Sequence, residues 1–126
     1  MVGLVLVSHS ATLAAGLVEL IAQLAPDVTV ATAAGTEDGR IGTSADLVTA
    51  AVAAAQSGDG VVIVPDLGSA VLSVRVALED APAETVVLVD APFVEGAISA
   101  AVTAGTGATL AEVIAAAEEA RTIGKF

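Results

Sequence analysis

The chain has 126 residues, no cysteine, and 15 acidic residues against four Lys or Arg, a formal net charge of −11. That length suits one domain, residues 1–126, with a core of its own. The missing cysteines exclude disulfides, thiolate chemistry and cysteine-bound metals, and the acidic balance argues against a surface built for nucleic-acid backbones.

Val2–Val7 is a short apolar run ended by Ser8-His9-Ser10, which reads as a buried parallel strand. It lacks a basic flank and is too short for a signal segment. Ala11 to Leu24 has helical spacing, with Leu13, Leu17, Leu20, Ile21 and Leu24 on one side. Pro26-Asp27 stops it, and Val28–Ala33 reads as a second strand. A Gly-rich polar loop, Gly35–Ser44, leads into a helix over Ala45–Ala55, capped by Thr43 or Ser44.

Val61–Pro65 is the third strand, followed by Asp66-Leu67-Gly68-Ser69 and a helix from Ala70 to Glu79. Ala81-Pro82-Ala83 breaks that helix, and Thr85–Val89 is the fourth strand. A helix runs from about Phe93 to Ala104, and Thr109 with Glu112 forms a capping-box pattern that opens a last helix, ended by Gly124. No apolar run reaches the roughly 20 residues of a membrane helix. The cytoplasm is the expected location.

Apolar strands alternating with helices define an α/β fold: one doubly wound, mainly parallel sheet with helices on both faces. A strand order of 2-1-3-4 would put the topological switch point between strands 1 and 3, where ligands bind such sheets. Strand 1 ends at Ser8-His9-Ser10 and strand 3 at Asp66. That places the one histidine and a carboxylate across a single crevice.

An imidazole can attack with one ring nitrogen and donate a hydrogen bond from the other. A carboxylate facing the second nitrogen fixes the tautomer and stabilises the cation formed on attack. Asp66 is the candidate for that role beside His9. Two helices start at the crevice and offer free N–H groups to an anion. Ser10, Gly68 and Ser69 lie at those starts, and Gly42-Thr43 lies in the loop beside strand 1. Each has a plainer reading: a packed histidine, a turn acid, an ordinary helix start, a solvated loop. Their convergence in one topology is what points to a site.

Competing sites are missing. There is no Gly-x-x-x-x-Gly-Lys-Ser/Thr run, no Gly-x-Gly-x-x-Gly after strand 1 and no Gly-x-Ser-x-Gly. One histidine without cysteine makes a poor zinc site. A phospho-aspartate receiver would need an acidic pair after strand 1, where Ser8-His9-Ser10 stands.

At these residues the chain resembles a known family. Val5-Leu6-Val7-Ser8-His9-Ser10, Ile41-Gly42-Thr43, Asp66-Leu67-Gly68-Ser69-Ala70 and Ala91-Pro92-Phe93-Val94-Glu95-Gly96-Ala97 are similar to the phosphotransferase subunit of bacterial dihydroxyacetone kinase. That subunit belongs to the mannose-type enzyme IIA superfamily of the phosphoenolpyruvate:sugar phosphotransferase system. The resemblance implies a mannose-type enzyme IIA fold, usually a homodimer, with His9 phosphorylated on Nε2. It implies the phosphocarrier protein HPr as donor and ADP on a nucleotide-binding kinase subunit as acceptor. The ATP formed there, with Mg on that partner, would phosphorylate dihydroxyacetone on a third subunit. Asp66 matches the acid near the histidine, and Gly68-Ser69 and Gly42-Thr43 match loops around it. No metal or cofactor is expected on this chain, and no nucleic acid or membrane among its partners.

Sugar-transporting relatives carry a Gly-Gly-Thr-Pro-like segment after the third-strand Asp. Leu67-Gly68-Ser69-Ala70 departs from it and favours the kinase branch. Some kinase-branch members continue into HPr-like and enzyme I-like domains, which this sequence leaves open. A sugar-transport enzyme IIA component is the first alternative. A non-catalytic regulatory α/β module in which His9 is structural is the second. The carrier reading also expects Glu37, Asp38 and the acids of the last helix to lie off the crevice.

Overall fold

A computed structural model describes residues 1–126. Four parallel strands, β1 (Gly3–Ser8), β2 (Val30–Ala34), β3 (Val61–Pro65) and β4 (Val86–Leu88), form one sheet in the order β2-β1-β3-β4. Helices α1 (Ala11–Leu24), α2 (Ala45–Ala55), α3 (Gly68–Asp80), α4 (Phe93–Ala104) and α5 (Leu110–Glu119) connect and cover it. The doubly wound α/β sheet read from the strand pattern is the observed one.

The central strands β1 and β3 are buried along their whole length, which is why they are continuous apolar runs. Alternation divides their side chains between two cores. Leu4, Leu6, Val62 and Val64 pack with α1, α4 and α5 on one face. Val5, Val7, Val61 and Ile63 pack with α2 and α3 on the other. The helices meet the sheet through small residues, such as Ala97, Ala100, Ala101 and Ala104 of α4 and Ala51 and Ala55 of α2. Gly3 shows how close this packing is. A Cβ there would lie 2.2 Å from the carbonyl oxygen of Ala55, at the end of α2.

Several boundaries differ from the sequence reading. β2 begins at Val30 rather than Val28, and β4 is shorter than Thr85–Val89. α3 starts at Gly68, so Gly68 and Ser69 form its first turn. α5 ends at Glu119 and passes into a 3₁₀ turn, Ala120–Thr122, before Gly124 is reached. Of the two cap candidates for α2, Ser44 is the cap, its Oγ accepting from the Leu47 N–H. The leucines expected on one side of α1 divide. Ala14, Leu17 and Ile21 face the core, while Leu13, Leu20 and Leu24 are exposed, because the stripe that meets the sheet is narrower than the apolar pattern.

Candidate functional site

Parallel pairing of β1 with β3 sets Val7 opposite Pro65. The Asp66 N–H extends that ladder, donating to the Val7 carbonyl at 2.9 Å. The residues just past the two strand ends, His9 and Asp66, are therefore neighbours, although 57 positions separate them in the chain. They sit at the switch point, where β1 leads to α1 and β3 leads to α3.

Asp66 Oδ1 lies 2.9 Å from His9 Nδ1 and accepts the Leu67 N–H at 2.7 Å. Oδ2 accepts the His9 N–H and the Ser8 hydroxyl, each at 2.9 Å. Its side chain is only 7 % exposed, against 20 % for that of His9. Burial pushes the Asp66 carboxyl up, but the donors from His9, Ser8 and Leu67 together outweigh it and hold the group below its ordinary value of 3.8. The carboxylate can only accept, so the proton between it and His9 sits on Nδ1. In the neutral ring, Nε2 is then the nitrogen with the lone pair.

The Ser69 Oγ lies 2.6 Å from that Nε2. Since Nε2 accepts, the hydroxyl donates. Ser69 belongs to the first turn of α3, whose cap position, Leu67, supplies no side-chain acceptor. The Gly68 and Ser69 amides find no acceptor in the protein, whereas α1, α2 and α5 are capped by Ser10, Ser44 and Thr109. A Cβ on Gly68 would meet nothing within 4 Å, so the backbone there borders open space. An uncapped helix start beside a nucleophilic nitrogen is suited to receiving an anion.

The other residues singled out in the sequence have different partners. The Ser10 hydroxyl caps α1, accepting from the Leu13 N–H at 3.2 Å. The Gly42 N–H donates to the His9 carbonyl at 3.0 Å and so ties the loop to the end of β1. Gly42 has φ +147°, and a Cβ would approach Thr36 Cγ2 to 2.8 Å, so glycine is required for that contact. The Thr43 hydroxyl pairs with Ser73 of α3 at 2.6 Å, which holds the loop against that helix. His9 thus contacts both Asp66 and Ser69, one through each ring nitrogen. Gly42 touches the His9 backbone, and Thr43 and Ser10 are engaged elsewhere.

No other carboxylate contacts His9. Glu37 accepts from Ser44, Asp38 from Thr36 and pairs with Arg40, and Glu112 and Glu118 of α5 accept from Thr109 and from the Asp90 N–H. No group of three or more His, Cys, Asp or Glu side chains forms a metal cage. No helix is long and apolar enough to cross a membrane. Two contributors escaped the sequence reading: Ser8 and Ser73. The signal for Ser8 was its place as the one polar residue inside a buried strand. Ser73 has no signal of its own, since nothing local distinguishes it on α3.

The fold and site together are a parallel α/β domain whose switch point holds an imidazole against a carboxylate, facing an uncapped helix start. The family model for the PTS system fructose IIA component, EIIA-man, matches residues 3–114, and the chain belongs to that family. Within it, the chain is similar to DhaM subunits. The phosphoryl donor subunit DhaM of PEP-dependent dihydroxyacetone kinase 1 from Listeria innocua is 41 % identical over 99 residues, 79 % of this chain and 78 % of that protein. DhaM of the PEP-dependent dihydroxyacetone kinase of Escherichia coli is 43 % identical over 121 residues, 90 % of this chain but 26 % of that longer protein. A crystal structure of an unknown function protein, EF1359, superposes with a TM-score of 0.87 at 35 % identity, covering 100 % of this chain and 98 % of the other.

Proposed function

We propose that this chain is the phosphoryl donor subunit of a phosphoenolpyruvate-dependent dihydroxyacetone kinase, and that it carries the phosphoryl group on His9 Nε2. The observation that carries the reading is the contact of His9 with Asp66 on one ring nitrogen and with Ser69, on an uncapped helix, on the other. The names of the DhaM relatives support the kinase branch.

HPr is the proposed donor. Its phosphoryl bond breaks as the Nε2–P bond forms, and the Nδ1 proton stays in place, so the ring becomes a cation facing the Asp66 carboxylate. Ser69 Oγ and the free amides of Gly68 and Ser69 then donate to the phosphoryl oxygens. Thr43 and Gly42 support the loop beside them, and Ser10 holds the start of α1. In the second transfer a terminal oxygen of ADP, bound with Mg on the nucleotide-binding subunit, attacks phosphorus, and the Nε2–P bond breaks. The chain's part in both steps is positioning and electrostatic stabilisation. It needs no metal or cofactor of its own. A homodimer in the cytoplasm is the proposed working form.

Incubation with phosphoenolpyruvate, enzyme I and HPr tests the carrier step. An acid-labile phosphoryl adduct, seen by mass spectrometry and missing in His9→Ala, is the expected result. No adduct in the wild type would remove the reading. Adding the other two kinase subunits with ADP and dihydroxyacetone separates the kinase from a sugar transporter, which would show an adduct and no dihydroxyacetone phosphate.

A further inference from the structure

We propose that Ser8 is a positioning residue for His9: by holding the Asp66 carboxylate in place through one hydroxyl, it keeps the proton on Nδ1 and the lone pair on Nε2. Only the rate measurement below rests on the carrier reading.

Ser8 is the one fully buried polar side chain of the protein. Its environment leaves the hydroxyl no freedom. The Ser10 N–H donates to Ser8 Oγ at 3.1 Å, and a backbone amide can do nothing else. The Ser8 proton is then directed at Asp66 Oδ2, 2.9 Å away. The amide of Ser10, the cap residue of α1, is therefore linked through Ser8 to Asp66, and through Asp66 to the imidazole.

The consequence follows from counting lone pairs. Oδ1 accepts from Nδ1 and Leu67, and Oδ2 accepts from Ser8 and the His9 backbone. Four donors occupy the roughly four acceptor positions of a carboxylate. A proton moved along that bond from Nδ1 to Asp66 would neutralise the carboxylate whose charge the donors from Leu67, Ser8 and the His9 backbone stabilise. Asp66 therefore orients the ring without acting as a base. Without the Ser8 hydroxyl, Oδ2 keeps only the His9 amide and the Ser10 N–H has no acceptor. The carboxylate can then rotate, and its grip on Nδ1 loosens.

Ring-labelled ¹⁵N-histidine NMR on the full chain reads this directly, because the two ring nitrogens resonate far apart when one tautomer dominates. The wild type is expected to show a protonated Nδ1 and an unprotonated Nε2. In Ser8→Ala the two resonances should move toward each other, and the rate of phosphoryl uptake from HPr should fall on the order of tenfold. Ser8→Thr, which keeps the hydroxyl, should restore both. A folded Ser8→Ala protein with wild-type ring shifts overturns the proposal, as does a folded Ser8→Thr protein that behaves like Ser8→Ala. If Ser8→Ala does not fold, Ser8→Cys, similar in shape with a weak S–H donor, is judged by the same shifts. A wild type that takes no phosphoryl from HPr would remove the carrier reading, and the ring shifts would still decide the role of Ser8.

Discussion

The Ser69 hydroxyl donates to the one ring nitrogen of His9 that Asp66 leaves free, across 2.6 Å. An incoming phosphoryl group must take the place of that hydrogen bond on Nε2. The hydroxyl can stay in the site by turning to a phosphoryl oxygen, alongside the unpaired amides of Gly68 and Ser69. Ser69→Ala should lower the rate of phosphoryl uptake about tenfold, the equivalent of one hydrogen bond to a charged group, and leave the fold intact. Rapid-quench measurement with phosphorylated HPr checks this. A wild-type rate would show that Ser69 only occupies the space before Nε2.

Asp66 has a predictable pH signature. Its carboxyl is held below its ordinary value of 3.8 in the folded state, so the stability it adds is fully present above that pH. That stability is lost as the pH falls from there through the lower folded value. Acid unfolding of Asp66→Asn, followed by circular dichroism, should therefore be less steep across that window than in the wild type. Asp66→Asn should also lose more than 100-fold in phosphoryl uptake, on the order seen when an imidazole loses its orienting carboxylate. Identical acid transitions would mean that the hydrogen bonds to Asp66 do not outlast its burial.

Two glycines should respond unequally to the same change. Gly3→Ala brings a Cβ to 2.2 Å from the Ala55 carbonyl oxygen, which forces α2 away from β1. It should destabilise the protein by about 1–3 kcal/mol, the usual cost of overpacking a core. Gly68→Ala meets nothing within 4 Å and keeps its amide, so stability should change little. Thermal melts of the two variants make the comparison. A harmless Gly3→Ala would show that the strand and helix separate easily.

The Thr43–Ser73 hydroxyl pair, at 2.6 Å, is the side-chain clamp between the Gly-rich loop and α3. Thr43→Val should cost about 1 kcal/mol of stability. It should slow phosphoryl uptake several-fold through loop mobility while leaving the histidine ring shifts unchanged. Altered ring shifts would instead place Thr43 in contact with the imidazole system.

Much of this was legible in the amino acids alone, because it depends on local physics. Buried parallel strands require unbroken apolar runs such as Val61–Pro65, and helix starts favour caps such as Thr109. The α/β alternation follows, and with it the placing of His9 and Asp66 at neighbouring strand ends. What the sequence could not decide were matters of distance between segments remote along the chain. Which face of α1 is dry, and whether Thr43 or Ser44 caps α2, depend on how the helix meets the sheet and on how α3 meets the loop. The roles of Ser8 and Ser73 arise in the same way. A serine hydroxyl takes on a role only from the groups within about 3 Å of it, and tertiary packing alone brings Asp66 to Ser8 and Thr43 to Ser73.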